Sequence, residues 1–464
     1  MLVPKNFPVT CHTNNVGPGS TFVAINGKTT NGNTFIEQAL EQGATALVVE
    51  HPFKACEFLT KHHNTTITIS MVPNARKALA TMSSNALGNP ASQLKIIGVT
   101  GTKGKTTTTY LIEHMLRTSG YKTAMLSGVV NKILDREEPS TLTTPESDYL
   151  HMFFAECVKQ GVDYVVMEVS SHALSLFRTH GITFEAAAFT NLAIEHMDFH
   201  QTLEDYFAAK MMLFEQIKPN GTIVINADNE WGIKALEQLA GKNPVTSSLQ
   251  NVTIANNNLD GLAVTLDGIT LATTMLFGTF NAQNICQAYT LCKQLGVNTQ
   301  TMQRALASFP GVPGRLQGHK LANGAYAFVD YAHNGSSFEA VLSTLRPLTK
   351  HLIVVFGCGG NRDKTRRTLL GQRAAEYADS IILTDDNPRF EKSEAIINDI
   401  VQAIPVEKRD RVVCEPNRHL ALARAAAQAT PESIIAILGK GHETSYIVEG
   451  TNYSFNDFKE IQQF

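Results

Sequence analysis

The stretch "IIGVTGTKGKTTTTYLIEHML", residues 96 to 116, limits the chain more than any other. An apolar run ends in glycines and lysines and opens into a row of threonines with a helical pattern behind them. A strand, a tight turn and a helix in that order bring backbone N–H groups together at a helix N-terminus, where partial positive charge holds a phosphate. Gly101, Thr102, Lys103 and Gly104 form the turn, and Lys105, Thr106 and Thr107 open the helix. Lys105 is placed to reach the β- and γ-phosphates of a nucleotide, and the Thr106 hydroxyl to ligate magnesium. The strict pattern asks for glycine five residues before Gly104; Val99 stands there, and Gly98 is one place off. Alone, the loop predicts an NTP and no particular reaction.

Apolar strands such as "LKIIGVTG", "DYVVMEVSS", "AAAFTNL" and "GTIVINAD" alternate with helical stretches from residue 94 to about 309. That alternation predicts a mostly parallel sheet covered by helices on both faces. Within it, residues 252 to 277 read as an antiparallel hairpin insert. Residues 1 to 93 read as a small α/β domain, linked onward by the polar "SNALGNPASQ". The Pro/Gly-rich "FPGVPGRLQG" reads as a hinge, and "AYAFVDYA", "HLIVVFGCGG", "SIILTDDN" and "IIAILGKG" after it predict a Rossmann-like sheet over residues 310 to 464. The fold class is therefore α/β in three domains, 1–93, 94–309 and 310–464, and 464 residues fit roughly two to four domains.

Composition excludes several classes. A net charge of −3 gives no electrostatic reason for nucleic acid. No charge-free apolar run reaches the roughly 18 residues of a membrane span, and "MLVPKNFPVTCHTNN" lacks a signal-peptide pattern. Seven cysteines without a CxxC pair point away from a disulfide framework or zinc. The expectation is a cytoplasmic, monomeric enzyme.

Glu168 closes the strand "DYVVME", where an open α/β sheet places its ligand crevice, and its carboxylate suits the same magnesium as Thr106. His196, Asp198 and His200 alternate, so an extended segment would turn all three to one face fit for a second metal. Lys210 follows on a helical stretch, where a surface ion pair is the ordinary reading.

The motifs "GTKGKTTT", "TTPE", "MEVSSHAL", "FTNL", "GTFNAQN", "PGRLQ", "VDYAHN", "VFGCGGNRDKTRR", "DNPR" and "GKGHE" occur in one order along the chain. In that order they resemble the Mur ligases, the ATP-dependent amide-forming family of peptidoglycan synthesis. More narrowly, they are similar to the branch that adds the third stem-peptide residue. The resemblance implies that ATP phosphorylates an acceptor carboxylate and that an amine then attacks the acyl phosphate. It implies two magnesium ions, the first with Thr106 and Glu168, the second with His196 and Lys210. Lys210 matches the family's carbamoylated lysine, with a carbamate derived from CO2. Lys105, Glu168, His196 and Lys210 would then be the catalytic set. Asn281 and Asn284 resemble adenine-side residues; Arg315, Asp330, Tyr331 and His333 resemble groups that close on ATP from the last domain.

The resemblance assigns Thr13, Asn14, Thr143, Thr144, Ser170 and Arg178 to an acceptor of the UDP-muramoyl-dipeptide kind. Two departures fall on that side: His12-Thr13-Asn14-Asn15 replaces the usual Asp-Ser-Arg, and Leu176 replaces a glutamine before Arg178. For the amine, Arg362, Asp386, Asn387, Pro388, Arg389, Gly439 and Glu443 form the implied site. Arg389 suits the distal carboxylate of meso-diaminopimelate as a bidentate partner. Against it, "GTKGKTT" and "YAHNG" are more like the lysine-adding branch, and Asn361 stands where "GGDRD" enzymes carry aspartate. Diaminopimelate is favoured over L-lysine. Two alternatives stay open: a Mur-type ligase acting on a different carboxylate acceptor, and a non-catalytic Mur-like binding protein.

Overall fold

The structure, a computed structural model, describes residues 1–27, 30–51 and 67–464. It divides into two compact units: residues 1–251 with 283–305, and residues 252–282 with 306–464.

In the first unit a small parallel sheet runs Val9–Thr10, Thr21–Val23, Ala46–Val49, Thr68–Met71. The larger sheet has eight strands in the order Val245–Ser247, Ile217–Asn226, Phe184–Phe189, Lys95–Thr100, Tyr164–Glu168, Thr123–Leu126, Val130–Ile133 and Arg136–Pro139. The first six pair in parallel and the last two antiparallel. Continuous apolar runs make the central strands: Ile96, Ile97, Val99, Val165, Val166 and Met167 are fully buried, as strands covered on both faces must be. Lys95–Thr100 lies between two strands that come later in the chain, so the sheet switches direction there and opens a crevice at its carboxyl edge.

The second unit holds a six-stranded sheet in the order Gln317–Lys320, Tyr326–Asp330, Ser433–Leu438, His351–Phe356, Ser380–Leu383, Val412–Cys414, parallel except for its first strand. A two-stranded hairpin, Ser445–Val448 with Thr451–Ser454, follows. The expected hairpin at 252 to 277 is instead a three-stranded antiparallel sheet, Thr253–Asn258, Gly261–Leu266 and Ile269–Thr273. The extra strand follows from Asp267 and Gly268, both at positive φ (51° and 74°), a two-residue turn that reverses the chain. No helix among the described residues is long and apolar enough to cross a membrane.

One buried group makes the first unit acid-sensitive. His151, on the helix Ser147–Gln160, is buried with neither ring nitrogen hydrogen-bonded, and burial pulls its pKa down to about 4. An unfolded histidine titrates near ~6.5, so this contribution is full above that pH and is lost as pH falls toward the folded value. Between neutral pH and pH ~5 the loss is about 2 kcal/mol. Denaturant titration at both pH values checks it: His151→Met should flatten this part of the slope, and an unchanged slope would refute the assignment.

Candidate active site

Four neighbouring strands deliver their carboxyl ends to one crevice in the first unit. Lys95–Thr100 leads into the loop 101–104, and the helix Lys105–Thr118 starts from Gly104. Gly101 and Gly104 sit at φ 145° and 83°. A Cβ at Gly101 would overlap the Thr190 hydroxyl, and one at Gly104 would overlap the Asn284 side-chain oxygen, so both positions demand glycine. Thr190 and Asn191, at the end of the adjacent strand, stitch the loop: the Thr190 hydroxyl donates to Lys103 O at 2.6 Å, and Lys103 N–H donates to Asn191 Oδ1 at 2.9 Å.

The Gly101 carbonyl accepts from two lysines, Lys105 Nζ at 3.0 Å and Lys210 Nζ at 2.7 Å. Lys210, on the helix Leu203–Glu215, is not the surface lysine its type predicts; it is 1% exposed, 4.2 Å from the centre of the Tyr206 ring. Burial, with Lys105 nearby, holds its ammonium well below the usual lysine range. Lys103 pairs with Glu195 at 3.1 Å.

Glu168 is buried; its Oε1 accepts the Gly128 N–H at 2.7 Å. The Thr144 hydroxyl donates to Glu168 O (2.9 Å) and accepts the Ser170 N–H (3.0 Å). Arg178 ties the same turn, donating to Thr144 O at 2.8 Å and pairing with Glu146 at 2.6 Å. Thr143, Thr144, Ser170 and Arg178 therefore gather around the end of the Glu168 strand. The Thr143 hydroxyl and Glu168 Oε1 both lie within 3.7 Å of where a Gly128 side chain would start.

The extended segment expected at 196 to 200 is a turn: Phe199 and His200 N–H both donate to His196 O, and His196 has φ 60°. The turn, not an extended strand, brings His196 and His200 to the same neighbours: their ring centres lie 4.8 and 5.8 Å from that of His172 and 6.0 and 4.9 Å from that of Tyr206. His200 Nε2 also bonds the Ser171 hydroxyl at 3.0 Å. His172, half-buried and facing His196, is pushed down to about 4, chiefly by desolvation. His172, Tyr206, Thr190 and Asn191 escaped the sequence reading. Tyr206 lies one helical turn before Lys210, and the other three follow strand ends, so each had a positional signal. Among the described residues no three His, Cys, Asp or Glu side chains form a ready-made metal cage.

Toward the N-terminus, Thr13 and Asn14 line a cleft of about 570 Å³ with Lys5, Asn6, Val16, Gly17, Pro18 and Gln42. The turn Thr13–Asn15 is held by main-chain bonds: Asn15 N–H to His12 O, Val16 N–H to Thr13 O, and Phe7 N–H to Asn15 O. It hangs from an anchor, because the Thr10 hydroxyl and the Cys11 N–H both donate to Asp148 at the start of the helix Ser147–Gln160.

In the second unit, both Asp330 oxygens accept backbone N–H groups, from Ala332 and Leu316, each at 2.7 Å. Asp330 thereby fixes the segment carrying Arg315, whose guanidinium lies 4.9 Å from the Tyr331 ring centre. His333 Nδ1 is 2.7 Å from Tyr331 O, and Asn281 Nδ2 donates to Phe277 O at 2.8 Å. Asn387 Nδ2 donates to Asp386 Oδ1 (2.8 Å) and Glu443 Oε2 (3.1 Å), and the buried Lys440 pairs with the same Glu443 oxygen at 2.7 Å. A Cβ on Gly439 would come 2.7 Å from Asp386 Oδ2. Arg389 donates to Gly360 O at 2.7 Å, and Gly359 lies between its guanidinium and the stem of Arg362.

Comparison with known proteins covers nearly the whole chain. Residues 9–85 match the Mur ligase family catalytic domain, 99–292 the Mur ligase middle domain, and 314–441 the Mur ligase glutamate ligase domain. The UDP-N-acetylmuramoyl-L-alanyl-D-glutamate--2,6-diaminopimelate ligase of Chlorobaculum tepidum is 38% identical over 468 residues, covering 97% of this chain and 90% of that protein. The protein of the same name from Aquifex aeolicus is 37% identical, with 98% and 92% covered. A solved structure of a ligase of that name superposes with a TM-score of 0.66 at 29% identity, covering 98% of this chain and 94% of the other. Folylpolyglutamate synthase from Mycobacterium tuberculosis, complexed with ADP and AMPPCP, shares the fold alone: TM-score 0.63, 18% identity, 78% and 92% covered. Matched by three of its domains in order and by relatives of nearly full length, the chain belongs to the Mur ligase family.

Proposed function

We propose that the protein joins the amino group of a diamino acid, meso-diaminopimelate before L-lysine, to the free carboxylate of UDP-N-acetylmuramoyl-L-Ala-D-Glu, using ATP. The observation that carries this reading is the pairing of a glycine-shaped phosphate loop with the buried Lys210 on one carbonyl, next to Glu168. The names of the relatives support the same substrates.

A carboxylate oxygen attacks the γ-phosphorus, the bond to ADP breaks, and an acyl phosphate forms. The amine nitrogen then attacks the carbonyl carbon, phosphate leaves, and a proton is lost from nitrogen. The first step brings anions together, so fixed cations aimed at the transferring oxygens are required. Gly101, Thr102, Lys103, Gly104, Thr107 and Asn284 hold the nucleotide, and Lys105 faces its phosphates. Thr106 and Glu168 fit one magnesium: both offer hard oxygens, and the Gly128 bond to Glu168 Oε1 leaves Oε2 to bind. His196 and Lys210 fit a second ion if Lys210 carries a carbamate. The sparse protein ligand set suits magnesium, which takes much of its shell from phosphate and water. Magnesium supplies charge neutralisation on the phosphate oxygens.

Lys210 suits carbamoylation because burial favours the neutral amine that attacks CO2. Thr143, Thr144, Ser170 and Arg178 belong to the acceptor, and Arg362, Asp386, Asn387, Pro388, Arg389, Gly439 and Glu443 to the amine. Glu443 shares one oxygen with Lys440 and Asn387, which leaves the other for an ammonium. Asn281, Arg315 and His333 complete the nucleotide side, with Asp330 acting as a positioning group. Domain limits at 93/94 and 309/310, a monomer and a cytoplasmic location belong to the same reading.

The altered segment 12–15 favours a second reading, in which another carboxylate is the acceptor. Lys5, Asn6, Asn14 and Gln42 offer the cleft a cation and three amides, a set able to bind an imide base but not confined to one. One assay separates the two. Phosphate release should require UDP-muramoyl-dipeptide, ATP, magnesium and a diamino acid together, and exchanging diaminopimelate for lysine should slow it. No turnover with either amine on that acceptor would sink the peptidoglycan assignment.

A further inference from the structure

Arg389 holds a backbone conformation that arginine rarely adopts. Its φ is 55°, in the left-handed region, which is unfavourable for a residue with a side chain. Asn361, on the facing loop, is also left-handed, at φ 53°. Such conformations persist only where surrounding bonds over-determine them.

The bonds that do so run between the loops 357–361 and 386–391. Gly360 N–H donates to Asn387 O at 2.9 Å. Phe390 N–H donates to Asn361 Oδ1 at 3.2 Å, and Asn361 N–H to Glu391 Oε1 at 2.5 Å. The other Glu391 oxygen pairs with Arg367 at 2.9 Å, and Arg367 is 2% exposed and also pairs with Asp399 at 2.8 Å. Asp399 lies on the helix Ser393–Ala403 and Arg367 on the helix Thr365–Tyr377, so the latch is bolted to two packed helices. On its other side Arg389 is held by the hairpin: its N–H donates to Ile447 O at 2.9 Å, and Glu449 N–H donates to its carbonyl at 2.5 Å. Close packing leaves no slack. A Cβ on Gly360 would overlap Pro388 O, and one on Gly359 would come 2.8 Å from Arg389 Nη1.

We propose that Asn361 and Glu391, backed by the buried Arg367, are positioning residues that hold Arg389 in its left-handed conformation and so set selectivity for an amine substrate bearing a second carboxylate. Neither residue touches the substrate; they act through Arg389. The proposal rests on the reading of Arg389 as the clamp for that carboxylate. An arginine fork discriminates only when its two N–H vectors are fixed, because a mobile guanidinium loses the bidentate geometry before it loses the charge.

The test is steady-state kinetics with meso-diaminopimelate and with L-lysine, which lacks the second carboxylate, on the full-length protein. Asn361→Gly keeps the left-handed backbone and deletes only the acceptor for Phe390 N–H. Glu391→Ala removes the latch carboxylate, and thermal unfolding of each variant reports whether the fold is intact. Asn361→Gly should raise KM for diaminopimelate roughly five- to tenfold and Glu391→Ala roughly ten- to fiftyfold, with KM for ATP and for lysine within about twofold. Adding either change to Arg389→Ala should raise KM no further, because both act through one group. If Arg389→Ala raises KM for diaminopimelate while the folded Asn361→Gly variant does not, the latch is overturned and the clamp stands. Equal increases for diaminopimelate and lysine, or additive effects with Arg389→Ala, would also overturn it. If Arg389→Ala itself leaves KM for diaminopimelate unchanged, the underlying clamp reading fails instead.

Discussion

Lys210→Ala is expected to lower turnover by roughly a thousandfold or more, while leaving the protein folded. The side chain is buried beside Lys105, and an ammonium there would face a second cation in a poorly solvated site. Deprotonation would relieve that conflict, and in the proposed function capture of CO2 by the neutral amine would convert the position into an anion able to share a metal. Loss of the side chain would then remove the anion and open a cavity that a small carboxylate can enter. Formate or acetate at high concentration should therefore restore part of the activity to Lys210→Ala and none to the wild type. A variant with unaltered turnover would eliminate the carbamate. An inactive variant that no short acid rescues would leave Lys210 as a structural cation bonded to Gly101 O.

Gly101→Ala should be nearly as damaging for a different reason. Its φ of 145° disfavours any side chain, and the added methyl would overlap the Thr190 hydroxyl and lie 3.0 Å from Asn191 N. Thr190 cannot retreat without giving up its bond to Lys103 O, and the Gly101 carbonyl cannot turn without releasing Lys105 and Lys210. Nucleotide affinity should fall roughly a hundredfold or more, read by equilibrium binding of a fluorescent ATP analogue. Gly120→Ala is the control: φ there is 91° with nothing within 4 Å, so it should lose about 1 kcal/mol of stability and keep its affinity. Wild-type ATP binding by Gly101→Ala would show that this loop is not the phosphate cradle.

Much of the scaffold was legible because its strands are long apolar runs ending in glycine or polar residues. Lys95–Thr100, Tyr164–Glu168, Phe184–Phe189 and the core strands of the second sheet all fall where the pattern put them. The strands Thr123–Leu126, Val245–Ser247 and Val412–Cys414 were passed over, being short runs without strong alternation. Gln317–Lys320 begins inside the Pro/Gly-rich hinge at 309 to 318 and carries no apolar run; its pairing with Tyr326–Asp330 makes it a strand, not its composition. The turn at 196 to 200 shows a similar limit, since alternating residues imply a common face only if the backbone is extended, and His196 O gathers two N–H groups instead. The depth of Lys210 was invisible as well, because burial of a lysine depends on what packs over its helix. Resemblance had to supply what periodicity could not.

The turn at residues 13 to 15 uses no side chain of its own to stay folded, and its anchor, Thr10 and Cys11 on Asp148, lies outside it. If these side chains read the acceptor, as proposed, scaffold and reader are separate parts of the same few residues. Side chains at 12 to 15 can be exchanged like the teeth of a key whose bow and shank are fixed. An unusual "HTNN" is then no sign of a damaged fold. On the proposed acceptor role, it would also make this short segment the natural place to graft a new acceptor preference onto an otherwise intact ligase.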